Sequence, residues 1–498
     1  MRIENAPIVD EQTVRNHAEA YTFGLDEETV AAFAQEFAGQ NDLLTNLERY
    51  AENEAPVRDY HWATDDEDPL GGFLTKTNVS TTDEGPIAGL ELAIKDNIAV
   101  AGVPMTCGSK VMESYVPTED ATVVSRLLDA GGTIVGKANM DEFAFGGDKS
   151  TLPYRLARNP RNPEHQPGGS SVGSGVAVAN GDVDAALGTD TGGSVRFPAS
   201  WCGVVGIKPT RGLVSLDGFG QFSKTLDTIG PLARETETAA KVLQAMAGSD
   251  PADEQTHSAI VGEYVKSVEA GRDTDLSDLT VGVVENLMGK HEDIDAHAWE
   301  AIDQLEAHGA EVVSIDIPSY EDVVPAWLGV GFTEIGAYMR ARGQNYWLDM
   351  ATRPSFVAAL DEGLRTRAEE LGPTVRSTLV YAEYLTSQLG DEYYALASRA
   401  RRQLTAEVNE LFEEVDVFAS TGVPALAPKW GEGDELDVLT AMSNTAPFNL
   451  TGHPAACLPS GRVDGLPTSL QLVAPLFDEE TLFRVASTWE TISDEDWV

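Results

Sequence analysis

Two Gly-Gly pairs run directly into serine, Gly168-Gly169-Ser170-Ser171 and Gly192-Gly193-Ser194. A serine at the end of a glycine-rich turn is presented with exposed backbone N–H groups beside it. Acyl transfer needs those two features, a nucleophile and an oxyanion hole. A pair of purely structural Gly/Ser loops would carry the same letters. A serine hydroxyl is a weak nucleophile at its free pKa and requires a base. The eight histidines (17, 61, 165, 257, 291, 297, 308 and 453) stand in no telling context, and His308, just before Gly309, reads as a helix C-terminal residue. The other available base is a lysine held neutral by burial. Lys95 is the candidate, because it ends the apolar run Leu-Glu-Leu-Ala-Ile and is followed by Asp96-Asn97. Read alone, a lysine in this position is more often a solvated one at the end of a strand.

These residues need elements to hold them. Leu90, Leu92 and Ile94 alternate as in a strand. Ala121–Ala130 is expected to be helical, with Val123, Val124, Leu127 and Leu128 on one face, before a short strand at Thr133–Val135. The phrase recurs as strand Thr280–Val284, helix Ala296–His308 and strand Val312–Ile317. Alternating helices and short apolar strands predict an α/β sheet covered on both faces. Four divisions follow: an N-terminal helical segment (1–75), in which Asp26 caps a helix bearing Val30, Phe33 and Phe37; a first core part (76–318); a helical insertion (319–411); and a C-terminal core part (412–498) closed by a helix with Leu482, Val485, Ala486 and Trp489 on one face. The acidic stretch 64–73 reads as a linker.

The chain has 498 residues, 42% of them hydrophobic, enough for a sizeable core. It carries 81 acidic against 34 basic residues, a net charge of −47. Such a field repels nucleic acid and anionic lipid. It is tolerable in concentrated salt, where the Debye length falls to about 3 Å at 1 M, so the excess predicts a halophile's solvated surface. Three scattered cysteines (107, 202, 457) make neither a disulfide framework nor a zinc cluster. No signal-peptide core opens the chain and no window approaches 18 apolar residues, so the expectation is a soluble, cytoplasmic protein.

Residues 167–212, with eleven glycines, resemble the signature block of the amidase signature family. AIKDN supplies that family's upstream lysine, and Ser170 precedes Ser194 by the family's 24 residues. The likeness continues through GVPMTCGSKVMESYVPTEDATVVSRLLDAGGTIVGKANMDEFAFG (102–146), LDTIGPLAR (226–234), FNLTGHPAACLPSG (448–461) and SLQLVAPLFDEETLFRVA (469–486). The N-terminal helices, AGVPM and FNLTGHPA are most similar to the nitrile-hydratase-associated, enantioselective amidases. The resemblance implies the amidase signature fold, a central mixed, mostly parallel sheet with helices on both faces. It implies Ser194 as nucleophile, Ser170 as a bridging serine with a cis peptide bond, and Lys95 as base. Thr191, Gly192 and Gly193 would form the oxyanion hole, and Ser171, Asp190 and Arg196 would support the network. It implies neither metal nor cofactor. Val172 departs from the family's Gly or Ser, which leaves the geometry beside the bridging serine open.

The function expected on this basis is hydrolysis of a carboxylic acid amide to carboxylate and ammonia through an acyl-serine, acting on a small-molecule amide, without direct nucleic-acid or membrane contact, and the resemblance allows a homodimer. The alternative is the A subunit of a glutamine-dependent aspartyl/glutamyl-tRNA amidotransferase. The N-terminal helical extension, Phe197, where that subunit typically has Gln, and the run GGDKSTLPYRLARNP after Phe145 argue against it. Tyr346, Trp347, Phe448 and Phe197 are aromatic candidates for an acyl pocket, though core packing is the commoner explanation for each. Two decoys remain. Gly131–Ala138 nearly spells a phosphate loop but lacks the terminal hydroxyl. Gly169–Gly173 fits G-x-S-x-G, which would make Ser171 the nucleophile with a downstream His453.

Overall fold

A computed structural model of the chain describes residues 9–19, 21, 24–44, 47, 50, 52–344, 353–388, 391–431 and 438–493. Its strands are β1 (Tyr60–Trp62), β2 (Phe73–Val79), β3 (Glu91–Lys95), β4 (Thr133–Ala138), β5 (Ala185–Asp190), β6 (Val205–Lys208), β7 (Thr228–Ala233), β8 (Thr280–Val284), β9 (Glu311–Ile315), β10 (Val417–Thr421), β11 (Ala455–Val463) and β12 (Leu466–Val473). They form one sheet in the order β1-β2-β4-β3-β5-β7-β6-β11-β12-β10-β8-β9.

The sheet is mixed, but it is not mostly parallel. Only β4–β3, β3–β5, β10–β8 and β8–β9 pair parallel; the other junctions are antiparallel. The reason lies in the connections. Parallel neighbours need a crossover segment, usually a helix, and the α/β phrase read from the sequence supplies one only around β3–β4 and β8–β9. The centre is built by β5, β6, β7, β11 and β12, and β11 and β12 are joined by a tight hairpin.

Alternation along the strands sorts side chains to the two faces. Leu92 and Ile94 enter the main apolar core while Ala93 faces a second one, and Ala185 and Leu187 oppose Ala186 in the same way. The second core is closed by helices Val172–Ala179 and Arg196–Cys202, whose Ala177, Val178 and Ala199 it contains.

Helix Glu27–Leu44 starts where Asp26 accepts the Thr29 N–H at 2.8 Å. β1 and the start of β2 fall within 1–75, and the acidic stretch is no free linker. Asp68 accepts the N–H groups of Gly72 and Phe73 and pairs with Arg155 at 2.8 Å, so a carboxylate that looks like solvation in the sequence locks β2 in place. Between β9 and β10 the described residues of 319–411 hold no strand. Helices Val323–Arg340, Pro354–Thr366, Pro373–Gln388 and Asp391–Leu411 occupy that region.

Candidate active site

β3 and β5 are parallel neighbours, Ile94 opposite Leu187, so their carboxyl ends bring Lys95 beside Thr189. Lys95 is fully buried, and its Nζ donates to Ser170 Oγ at 2.8 Å and to Thr189 Oγ1 at 2.7 Å. Burial pushes its pKa from 10.5 down to about 7, against the pull of the carboxylates of Asp141, Asp190 and Asp227. The Gly169–Ser170 peptide is cis, and the Ser170 carbonyl accepts the Asp141 N–H at 3.2 Å. Val172 does not disturb this arrangement. It opens the following helix and buries its side chain with Leu152, Ala157 and Val176. Glycine is required one residue later, because a Cβ on Gly173 would lie 2.2 Å from the Gly72 carbonyl and 2.3 Å from the Asn139 N–H.

After β5 the chain turns through Thr191, Gly192, Gly193 and Ser194 into helix Arg196–Cys202. Asp190 closes this turn by accepting the Val195 N–H at 3.1 Å and pairing with Arg196 through two bonds of 3.0 Å. Both side chains are wholly buried. Burial raises the Asp190 carboxyl, but the Arg196 guanidinium and the Asn449 amide outweigh it and hold the pKa at about 2. Arg196 also donates to the Thr445 carbonyl, Gln471 and Asn449, tying the turn to the C-terminal part of the sheet. Gly193 sits at φ +138°, and a Cβ there would meet Thr445 Oγ1 at 2.5 Å and the Phe197 ring at 2.7 Å.

Ser170, Ser194, Thr191 and Gly192 border a single cavity of about 280 Å³. Its walls include Phe145, Phe197, Trp201, Phe222, Trp327 and Phe332, with polar contributions from Gln166, Thr374 and Thr378 and, among the described residues, no charged side chain. Lys95 does not line it, so the amine faces the cavity only through the Ser170 hydroxyl. The geometry offers one half-buried hydroxyl, a second hydroxyl on a lysine poised near neutrality, and a turn of peptide N–H groups. This suits proton-coupled attack on a carbonyl.

The two decoys separate cleanly. Ser171 is buried, and its Oγ contacts the backbone N–H and carbonyl of Thr189 at 3.2 and 3.3 Å, pinning its helix to β5, and it does not line this cavity. His453 is buried with Thr451 and Asn409 on its ring nitrogens, and burial lowers its pKa to about 3. Residues 133–138 are strand β4, where Lys137 is buried against Asp96 at 3.1 Å. Of the aromatic candidates, Phe197 lines the cavity and Phe448 is core; Tyr346 and Trp347 lie outside the described residues.

Several contributors went unread in the sequence. Thr189 shares the lysine, yet one threonine in a strand carries no signal. Asp141, in MDEFAFG, is buried and pushed up to about 7 by that burial, with the Thr151 hydroxyl and Lys95 opposing. Asp227, in LDTIGPLAR, is likewise raised to about 7 by burial and accepts the Thr191 hydroxyl at 2.5 Å. Both lie in segments that carried the family resemblance, which was the available hint. Among the described residues no group of three His, Cys, Asp or Glu side chains is placed to hold a metal ion, and no helix is long and apolar enough to cross a membrane.

The profile of the family described as Amidase matches residues 74–483. The A subunit of the glutamyl-tRNA(Gln) amidotransferase of Halobacterium salinarum is 42% identical over 84% of this chain and 99% of its own length. The crystal structure of the corresponding A subunit from Thermotoga maritima, also of a glutamyl-tRNA(Gln) amidotransferase, superposes with a TM-score of 0.70 at 32% identity, covering 92% of this chain and 91% of that one. The peptide amidase of Stenotrophomonas maltophilia gives 0.67 at 29% identity, over 82% and 83%. None of the three is named as a nitrile-hydratase-associated amidase. The expectation of an amidase for small-molecule amides, without direct nucleic-acid contact and with its own copy as the partner allowed, is overturned by the first two relatives, which are named as subunits of a glutamyl-tRNA(Gln) amidotransferase. Phe197 and the altered run after Phe145 were weak grounds against that reading, being single departures within a likeness that spans nearly the whole relative.

The chain belongs to the amidase family, whose members are hydrolases of carbon–nitrogen bonds.

Proposed function

We propose that this amidase-family chain serves as the A subunit of a glutamyl-tRNA amidotransferase, releasing ammonia from glutamine for use by its partner subunits. The observation that carries the reading is the 42% identity over 99% of the halobacterial relative. The Thermotoga relative supports it through coverage of 91% of its own chain.

In this reading Ser194 Oγ attacks the side-chain amide carbon of glutamine. Its proton passes to Ser170 Oγ while the Ser170 proton moves to neutral Lys95 Nζ. With a pKa of about 7 the lysine is neutral in about half the molecules at pH 7. The tetrahedral oxyanion is met by N–H groups of the Thr191–Ser194 turn. The relay then runs backwards, protonating the departing nitrogen as ammonia and leaving a glutamyl ester on Ser194. A water molecule, deprotonated along the same route, releases glutamate. Among the described residues the cavity is lined without a charged side chain, which favours entry of the amide-bearing arm with the charged amino-acid head at the mouth. The charge of −47 would repel RNA, so the partner subunits hold the tRNA. The acidic surface further supports a halophilic, cytoplasmic protein.

The test is co-expression with candidate partner subunits in molar salt, followed by assays of glutaminase activity and of conversion of glutamyl-tRNA to glutaminyl-tRNA. Conversion that fails with Ser194→Ala and glutamine, yet is restored by free ammonia, is the expected result. Absence of any co-purifying partner together with inertness toward glutamine overturns it.

A further inference from the structure

The turn that would stabilise the oxyanion is aimed by two side chains from distant parts of the chain. Trp327, on helix Val323–Arg340, donates its indole N–H to the Thr191 carbonyl at 2.9 Å. Thr445, just before helix Ala446–Thr451, donates its hydroxyl to the Gly192 carbonyl at 2.5 Å. In a trans peptide the carbonyl and the following N–H lie in one plane and point in opposite directions. Holding the Thr191 carbonyl therefore fixes the direction of the Gly192 N–H, and holding the Gly192 carbonyl fixes that of the Gly193 N–H. Among the described residues neither N–H has a protein acceptor of its own, so each is free for a ligand oxygen. Two glycines in succession would otherwise leave these planes free to turn.

The same helix reaches the turn by a second route. Glu334 accepts the Ser223 hydroxyl at 2.7 Å and the Thr225 N–H at 3.0 Å. That loop delivers Asp227 to the Thr191 hydroxyl, and Asp227 in turn accepts the N–H groups of Phe222 and Ser223 at 2.9 Å.

We infer that Trp327 and Thr445 are positioning residues that orient the Gly192 and Gly193 N–H groups toward the developing oxyanion, so that the helical region between β9 and β10 is part of the catalytic apparatus. This rests on the reading of Ser194 as nucleophile. Preorganised donors lower a barrier because they need not reorient when charge develops, and losing the anchor blurs the direction of the donor without removing it. The loss is accordingly smaller than that of a donor itself.

Trp327→Phe keeps the ring against the cavity but removes its N–H, Thr445→Val keeps the volume but removes the hydroxyl, and Thr445→Ser restores a hydroxyl. Steady-state glutaminase kinetics with thermal melts are the measurement. Trp327→Phe and Thr445→Val are each expected to lower kcat about tenfold with KM within about twofold and melting unchanged, and Thr445→Ser to recover most of the loss. Wild-type kcat in both variants, or Thr445→Ser as slow as Thr445→Val, overturns the inference. Ser194→Ala run alongside separates the two readings: residual turnover there removes the nucleophile assignment itself, whereas a dead Ser194→Ala beside fully active Trp327→Phe and Thr445→Val removes only the role of the anchors.

Discussion

Lys95 Nζ lies 2.8 Å from Ser170 Oγ in a pocket that excludes solvent from the lysine entirely. A base thus placed acts only through the hydroxyl in front of it.

Replacing Lys95 by methionine keeps the volume and removes the base. Ammonia release from glutamine should fall at least about a hundredfold, the lower range for general base catalysis, with the circular dichroism spectrum unchanged. Ser170→Ala should cost a similar factor. The double variant should be no slower than the worse single one, because the two groups form one relay. Multiplied losses in the double variant would show two independent routes for the proton.

The rate should rise with pH through about 7, as burial brings Lys95 to neutrality there. Asp141 pulls that pKa upward, so Asp141→Asn should move the acid limb to lower pH; kcat against pH for both proteins is the measurement. Stability follows the same shift. Between about 7 and 10.5 the unfolded lysine holds a proton that the folded one has lost, so this group's contribution improves as pH rises across that window. Thermal melts of Lys95→Met should accordingly gain less than wild type as pH rises through that window.

Arg196 and Asp190 form a buried pair, and removing one member strands the other's charge. Arg196→Met should destabilise the fold by about 3–5 kcal/mol in urea titration. Asp190→Asn added to it should recover much of the loss, since no carboxylate is then left unpaired. A double variant as unstable as Arg196→Met would assign the cost to Arg196's other bonds, to Thr445, Asn449 and Gln471.

A net charge of −47 predicts a melting temperature that climbs steeply with KCl from about 0.1 to about 3 M, with unfolding or aggregation at the dilute end. A flat dependence would show that the acidic surface does not govern folding.

Much of this was readable from the letters. Period-2 and period-3.6 patterns located β3, β4, β8, β9 and the closing helix Glu479–Ile492. The central strands β5 and β7 were not legible, because Ala-Ala-Leu-Gly-Thr-Asp and Thr-Ile-Gly-Pro-Leu-Ala are rich in residues that strands usually avoid. Strand direction was hidden for a related reason. The α/β phrase is visible only toward the flanks of the sheet, while in the middle β6 pairs with β11 from the far end of the chain, a partnership no local pattern records.

The sequence by itself determined the composition of the chemistry: two serines 24 apart after paired glycines, a lysine at a strand end, and an acidic surface. Only the tertiary structure decided which serine faces the cavity and which is spent on the Thr189 backbone, that Lys95 is dry enough to be a base, and that Trp327 and Thr445 hold a turn more than a hundred residues earlier in the chain. Local patterns encode which face of an element is apolar, whereas burial, pKa and the direction of a peptide plane depend on which distant segments close over the site.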